Sequence, residues 1–217
     1  MQNKESPQRN GMFITIEGIE GVGKSTNIEF IKQYLEGAGV EYVVTREPGG
    51  TLLAERIREL LLEINKEPLN ELSELLLVFA ARAQHIERLI KPALASGKWV
   101  VCDRFTDATF AYQGGGRGLD ISVIEELQSM VQGSLRPDLT IILDLDPKTG
   151  MARVAKRGAL DRFEQEELDF FDKVRQTYLD IAKAEPQRCA VIDATQDLEA
   201  VQSDLHSLLE ERLNLHA

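Results

Sequence analysis

The chain has 217 residues, 43% hydrophobic and 28% charged, enough to bury a substantial core as one globular domain. Its formal net charge of −11 argues against DNA or an anionic membrane as the main partner, because the average field repels both, although local arginine clusters can still hold a small anion. No segment approaches the ~18 consecutive apolar residues of a membrane span.

In chain order, residues 1–11, MQNKESPQRNG, are polar and lack the apolar stretch of a secretory signal, so they read as a disordered N-terminal extension of a cytoplasmic protein. Residues 12–217 then read as a single domain. A first apolar run, FITIE at 13–17, leads through a glycine-rich turn into a helical pattern at 24–37. A second strand-like run, EYVVT at 41–45, precedes helices at 52–63 and 71–95. A third, KWVVCD at 98–103, is followed by a helix at 121–132. A fourth, LTIILDL at 139–145, precedes a helix at 148–157 and a strongly charged segment. A long helix at 167–184, a fifth run CAVID at 189–193 and a helix at 197–213 complete the chain.

Runs that are apolar throughout suit strands covered on both faces. Alternating strands and helices imply right-handed crossovers, hence an α/β fold of three layers with a five-stranded parallel sheet between helices. Ligands in such sheets bind beyond the carboxyl ends of the strands, so the residues to inspect follow Glu17, Thr45, Asp103, Asp146 and Asp193. Cys102 and Cys189 lie in apolar strand-like runs and read as small hydrophobes in a reducing compartment.

The stretch GIEGVGKST, Gly18 to Thr26, fits Gly-x-x-x-x-Gly-Lys-Ser, which makes the fold a P-loop NTPase fold. Its glycines let successive amides converge on a β-phosphate at the positive end of the next helix. Gly18, Ile19, Glu20, Gly21, Val22, Gly23, Lys24, Ser25 and Thr26 therefore form the candidate ATP site. Lys24 would pair with the β and γ phosphates, and the Ser25 hydroxyl would join Mg²⁺. A glycine-rich turn without a ligand is the plain alternative. Glu20 is unfavourable beside a triphosphate, so it either faces a second ligand, for instance a sugar hydroxyl, or is a solvated surface side chain. The variable positions Ile19, Glu20, Gly21 and Val22 supply no cation, so the positive charge for the transferring phosphoryl must come from elsewhere.

A guanine-reading switch is excluded. The nearest match to Asn-Lys-x-Asp is NKEP at 65–68, and no Asp-x-x-Gly occurs. A nucleotide-gated binding module is thereby disfavoured.

What occurs instead is TREPGGT at 45–51, FAAR at 79–82, DRF at 103–105, YQGGGRG at 112–118 and RGALDRFEQE at 157–166. In these motifs and their order the sequence closely resembles the thymidylate kinase family, from about residue 12 to about 213. The resemblance implies phosphorylation of dTMP to dTDP by ATP with Mg²⁺, and a homodimer. The alternative within the enzyme class is a kinase for another nucleoside monophosphate or for a deoxynucleoside.

The residues also make chemical sense by themselves. An acceptor phosphate with a second pKa of about 6 is already ionised and needs no general base. Two polyanions must instead be brought into line by arginines and a metal. The histidines His85, His206 and His216 lie outside the motifs, in keeping with base-free chemistry.

By resemblance, Arg46 and Arg104, at the ends of the second and third strands, clamp the dTMP phosphate. Asp103 orients Mg²⁺ through water or holds Arg104, and capping of a helix is its other role. Arg82 lies on or beside the apolar stripe of its helix and addresses the base or phosphate. Phe79 is the candidate to stack on thymine, with plain core as the alternative; several family members carry the aromatic at the position of Val78. Pro48 packs near thymine. Tyr112 against C2′ excludes a ribose hydroxyl, Gln113 pairs with the thymine edge, Thr109 shares the pocket and Arg117 approaches its rim, although the three glycines of YQGGGRG also suit a mobile loop.

The lid, about 150–166, carries Arg153, Lys156, Arg157 and Arg162. Family members with no arginine in the phosphate loop place their catalytic arginine here. The match implies that Arg157 reaches the transferring phosphoryl, with Arg153 or Arg162 assisting and Asp161 or Glu164 positioning them or a sugar hydroxyl. Asp144 and Asp146 end the fourth strand, where a metal-binding aspartate is one reading; capping of the helix after Pro147 is the preferred one.

Overall fold

Each of the five apolar runs forms a strand: β1 (Phe13–Glu17), β2 (Tyr42–Arg46), β3 (Trp99–Asp103), β4 (Leu139–Asp144) and β5 (Cys189–Asp193). All pair in parallel in the order β2-β3-β1-β4-β5. The central strand β1 is buried along its whole length, whereas the edge strands β2 and β5 expose part of theirs. The computed structural model describes residues 11–64, 68–156, 158 and 160–213. The expected N-terminal extension lies outside the described residues except for Gly11, whose backbone packs closely on that of Lys98.

Helices cover both faces of the sheet: α1 (Lys24–Gly37), α2 (Leu52–Leu62), α3 (Glu71–His85), α4 (Lys91–Ala95), α5 (Thr106–Thr109), α6 (Ile121–Gln132), α7 (Pro147–Ala155), α8 (Leu168–Ala184) and α9 (Leu198–Leu213). Their starts are capped as the side chains allow. Thr51 accepts from the Ala54 amide, Asn70 from Ser73 and Asp146 from Thr149. One core cluster joins β1, β4 and β5 to α1, α8 and α9; a second joins Phe13, Val100 and Cys102 to Ile86, Ile90 and Phe105. Cys102 and Cys189 are both buried free thiols, as expected of small hydrophobes.

Two expectations need correction. The segment 71–95 is not one regular helix: a widened π-helical turn, Ile86–Ile90, separates α3 from α4. Pro92, at the start of α4, has no amide hydrogen for the carbonyl four residues earlier, so the turn before it loosens. The segment around YQGGGRG is not an open loop. It continues α5 as a π-helical stretch, Phe110–Gly116, packed on α8. A Cβ on Gly115 would lie 2.1 Å from Thr177 Oγ1, and one on Gly116 would lie 2.4 Å from the Phe170 ring. The glycines thus serve close approach between two helical segments.

Candidate active site

Beyond the carboxyl ends of β1, β2 and β3 lies a cavity of about 580 Å³. The phosphate loop forms its floor, with Glu20, Gly21, Gly23, Lys24, Ser25 and Thr26 in the lining. The loop is wedged against α7: a Cβ on Gly21 would meet Gly150 O at 2.2 Å, and one on Gly150 would meet Glu20 O at 2.5 Å. Both positions are therefore confined to glycine by backbone contact. Ile19 and Val22 turn their side chains into the core, so they can offer a phosphate only their amides. Lys24 Nζ donates to the carbonyls of Gly18 and Ile19, both at 3.1 Å. Burial, with Arg104 close by, lowers its ammonium from 10.5 to about 8.

Arg104 is the organising cation. Among the described residues it alone, apart from glycines, has a positive φ, +68°, a strained conformation of the kind that clusters at functional sites. Its Nη1 donates to Gly18 O at 2.8 Å, and its Nη2 pairs with Glu20 Oε1 at 2.8 Å. The guanidinium also lies 4.7 Å from the centre of the Tyr112 ring. The Tyr112 hydroxyl donates to the same Glu20 carboxylate. Glu20 is therefore no surface glutamate. It is one corner of an Arg104–Glu20–Tyr112 cluster that lines the cavity.

Behind this cluster sits Glu17, fully buried, accepting from the Phe105 amide at 2.7 Å and from the Tyr178 hydroxyl at 2.8 Å. Burial, together with Asp107, pushes its carboxyl up to about 8. Tyr178 Oη also lies 3.3 Å from Arg104 Nη1.

Arg46 and Pro48 line the mouth of the cavity, and Arg46 is paired with Glu55 at 2.9 Å. Arg82 is 2% exposed. It pairs through Nε with Glu47 at 2.7 Å and donates through Nη2 to Phe105 O and to Thr109 Oγ1. Its Nη1 is buried with no hydrogen-bond partner. Gln113 lines the same region and donates to Glu74 at 2.7 Å. Asp103 caps no helix: the N-cap of α5 is Phe105, with no side-chain cap, and Asp103 Oδ1 is buried with no hydrogen-bond partner.

Phe79 must be reassigned. It packs with Leu75 and Ile124 and does not line the cavity, whereas Val78 does. Arg82 lies four positions after Val78, which puts both on the cavity face of α3, while Phe79 is rotated toward α6. The aromatic rings that line the cavity are Phe105, Tyr112 and Phe163.

In the lid, Arg157 lies outside the described residues. Arg153 Nη1 is 3.3 Å from Gly21 O, beside the phosphate loop. Arg162 is not at the phosphates: it donates through Nε to Leu61 O at 2.7 Å and pairs with Glu74 at 2.7 Å. Asp161 and Glu164 line the cavity and cap each other's backbone, Asp161 accepting from the Glu164 amide and Glu164 from the Asp161 amide. Asp146 caps α7 as expected, but Asp144 does not: its carboxylate is taken up in a bidentate pair with Arg175.

Several site residues escaped the sequence reading. Arg58, on α2, lines the cavity and donates to Pro48 O at 3.0 Å. Burial, with Arg46 and Arg104 nearby, lowers its guanidinium. It lies beside the buried stripe Ala54, Ile57 and Leu61, so the reasoning that singled out Arg82 would have found it too. His85 is fully buried, bonded to Thr45 at 2.7 Å and to Glu47 at 2.9 Å, and braces the loop before Pro48.

Among the described residues no helix is long and apolar enough to cross a membrane. The family profile described as Thymidylate kinase matches residues 16–205. A thymidylate kinase of Ectopseudomonas mendocina (strain ymp) is 61% identical over 199 residues, covering 92% of this chain and 95% of that one. Its counterpart from Pseudomonas syringae pv. tomato is 59% identical over 94% of this chain and 98% of its own. The crystal structure of thymidylate kinase from Ehrlichia chaffeensis superposes with a TM-score of 0.75 at 40% identity, covering 93% of this chain and 99% of that chain. With a phosphate loop, a cation-rich acceptor cavity and this agreement over nearly its whole length, the chain belongs to the thymidylate kinase family, whose members transfer a phosphoryl group from ATP to dTMP.

Proposed function

We propose that the cavity holds dTMP with its phosphate toward Arg104, Arg46 and Arg58 and its base toward Arg82 and Gln113, while ATP lies with its phosphates over Lys24. The observation that carries this reading is that one cavity is lined both by Lys24 and Ser25 of the phosphate loop and by Arg46, Arg58, Arg82, Asp103 and Arg104. Arg82 suits a base carbonyl and Asp103 a hydrated cation.

Phosphoryl transfer needs charge neutralisation and alignment more than covalent help from the protein. Arg104 and Arg46 neutralise the acceptor phosphate and orient one of its oxygens. Glu20 holds Arg104 in place and leaves acceptor capacity for the sugar hydroxyl. The Tyr112 ring closes the space that a ribose 2′-hydroxyl would occupy. Val78, Phe105 and Pro48 supply the apolar wall against thymine. Lys24 follows the charge that accumulates between the β and γ phosphates.

Ser25 and Asp103 suit Mg²⁺, which keeps several waters and phosphate oxygens as ligands and needs few protein groups. When bound, the ion would neutralise phosphate charge.

The lid arginine nearest the phosphoryl is proposed to be Arg157, with Arg153 assisting. This rests on the family resemblance and on the absence of a cation at Ile19, Glu20, Gly21 and Val22. Arg162 is proposed to dock the lid. A homodimer through α3 and α6 is supported by their exposed apolar side chains Leu72, Leu76, Val123 and Met130.

Asp103→Asn tests the metal reading. The variant is expected to need about tenfold more Mg²⁺ for half-maximal ADP release with little change in melting temperature, since outer ligands typically shift metal affinity by that order. An unchanged Mg²⁺ requirement would remove Asp103 from the metal site.

A further inference from the structure

Glu74 is a carboxylate that the reaction does not use, 1% exposed on the inner face of α3, and three hydrogen-bond donors and one further guanidinium converge on it. Gln113 donates from the π-helical stretch to Oε1 at 2.7 Å. Arg117, just beyond that stretch, donates to Oε1 at 3.3 Å and to Oε2 at 3.2 Å. Arg162, from the lid, pairs with Oε2 at 2.7 Å. Arg117 in turn pairs with Glu166 of the lid at 2.6 Å, so two carboxylates and two guanidiniums close a balanced cluster. Arg162 also fastens the lid to the end of α2 through Leu61 O and Leu62 O.

The chemistry of Glu74 has a directional consequence. An ionised carboxylate only accepts hydrogen bonds, so the amide nitrogen of Gln113 must face it and the amide oxygen must face away. With nitrogen committed to Glu74, Gln113 offers an acceptor to a ligand in the cavity it lines. Thymine carries a donor at N3, whereas cytosine carries an acceptor there. A reversed amide would suit cytosine but would set its oxygen against the Glu74 carboxylate, a repulsive contact in a buried site.

We infer that Glu74 is the positioning residue that fixes the amide of Gln113 in its thymine-reading orientation and, through Arg162 and Arg117, joins base selection to docking of the 160–166 segment. The inference rests on the reading that Gln113 faces the base. The same carboxylate thereby supports two events that must coincide: recognition of the correct acceptor, and placement of Asp161, Phe163 and Glu164 along the cavity wall.

The test is ADP release by the full chain with dTMP and with 5-methyl-dCMP, which keeps the methyl group and reverses the pattern at N3. Gln113→Ala serves as the control for base reading. Glu74→Gln is expected to fold, to raise the KM for dTMP, and to lower the ratio of kcat/KM values for the two acceptors by roughly tenfold, because its amide tolerates either orientation of Gln113. The double variant Glu74→Gln/Gln113→Ala should lose no more discrimination than Gln113→Ala alone.

If Gln113→Ala keeps the wild-type ratio, the base reading itself fails. If Gln113→Ala lowers the ratio and Glu74→Gln does not, base reading stands and the role of Glu74 is refuted. Should Glu74→Gln not yield folded protein, Arg162→Met carries the test. It leaves the Glu74–Gln113 contact intact, so kcat with dTMP should fall about tenfold while the acceptor ratio is kept. A normal kcat, or a ratio that falls along with it, would overturn the inference.

Discussion

Gly115→Ala perturbs the acceptor site without touching a residue that contacts ligand. The new Cβ would stand 2.1 Å from Thr177 Oγ1, 3.1 Å from Thr177 Cβ and 3.1 Å from Lys173 O. Rotating Thr177 relieves the first contact at the loss of its hydrogen bond to Lys173 O, 2.9 Å in length, which the exposed hydroxyl can replace with water. The other two contacts remain, so α8 and the π-helical stretch must separate by a few tenths of an ångström. Overpacking of this kind costs about 1–3 kcal/mol. In a chain of this size each kcal/mol moves the melting temperature by about 2–4 °C, so a fall of about 2–12 °C is expected. Tyr112 and Gln113 lie on the displaced stretch, and the Tyr112 ring packs on Phe170 of α8 at 6.0 Å between centroids. The KM for dTMP should therefore rise severalfold while that for ATP stays near wild type. Gly37→Ala is the control: nothing lies within 4 Å of its added Cβ, so stability should hold or rise slightly. Differential scanning fluorimetry and steady-state kinetics measure both effects. A Gly115→Ala protein that melts within about 1 °C of wild type, with an unchanged dTMP KM, would refute the close-packing argument.

Arg157→Ala should lower kcat by about 10³ and leave dTMP affinity nearly intact, the pattern of a lost arginine finger; near-normal turnover would transfer the role to Arg153. Lys24 must be protonated to meet the ATP phosphates, and its ammonium is lowered to about 8 in the free site. The value of kcat/KM for ATP, which reports the free enzyme, should thus be flat below about pH 8 and fall about tenfold per unit above it. A profile still level at about pH 9.5 would show that Lys24 keeps an ordinary affinity for its proton.

The sheet was legible because each strand is a short run apolar on both faces, and β1, β3 and β5 fall within a residue of where the apolar runs place them. The phosphate loop was legible because its spacing is set by backbone geometry. Side-chain direction was harder to read. Val78 and Phe79 differ by one residue and 100° of helical rotation, and both are apolar, so only the packing of α3 on α6 distinguishes cavity wall from core. Arg162 and Arg153 share a charged segment, yet one is drawn to Glu74 and the other to the phosphate loop, by partners distant in the chain. The three glycines after Gln113 look like loop punctuation until α8 is brought against them. Glu74 and Glu47 appear in sequence as ordinary helix and loop glutamates; only tertiary contact shows that each buried carboxylate holds an arginine of the site.

The central claim is that the Arg104–Glu20–Tyr112 cluster and Gln113 select a thymine deoxynucleotide as phosphoryl acceptor. It is tested most directly by initial rates of ADP release with ATP and each of dTMP, dUMP, UMP, CMP and GMP. The account predicts turnover greatest with dTMP, weaker with dUMP, and close to background with UMP, whose 2′-hydroxyl meets the Tyr112 ring. Equal rates with dTMP and UMP would contradict it.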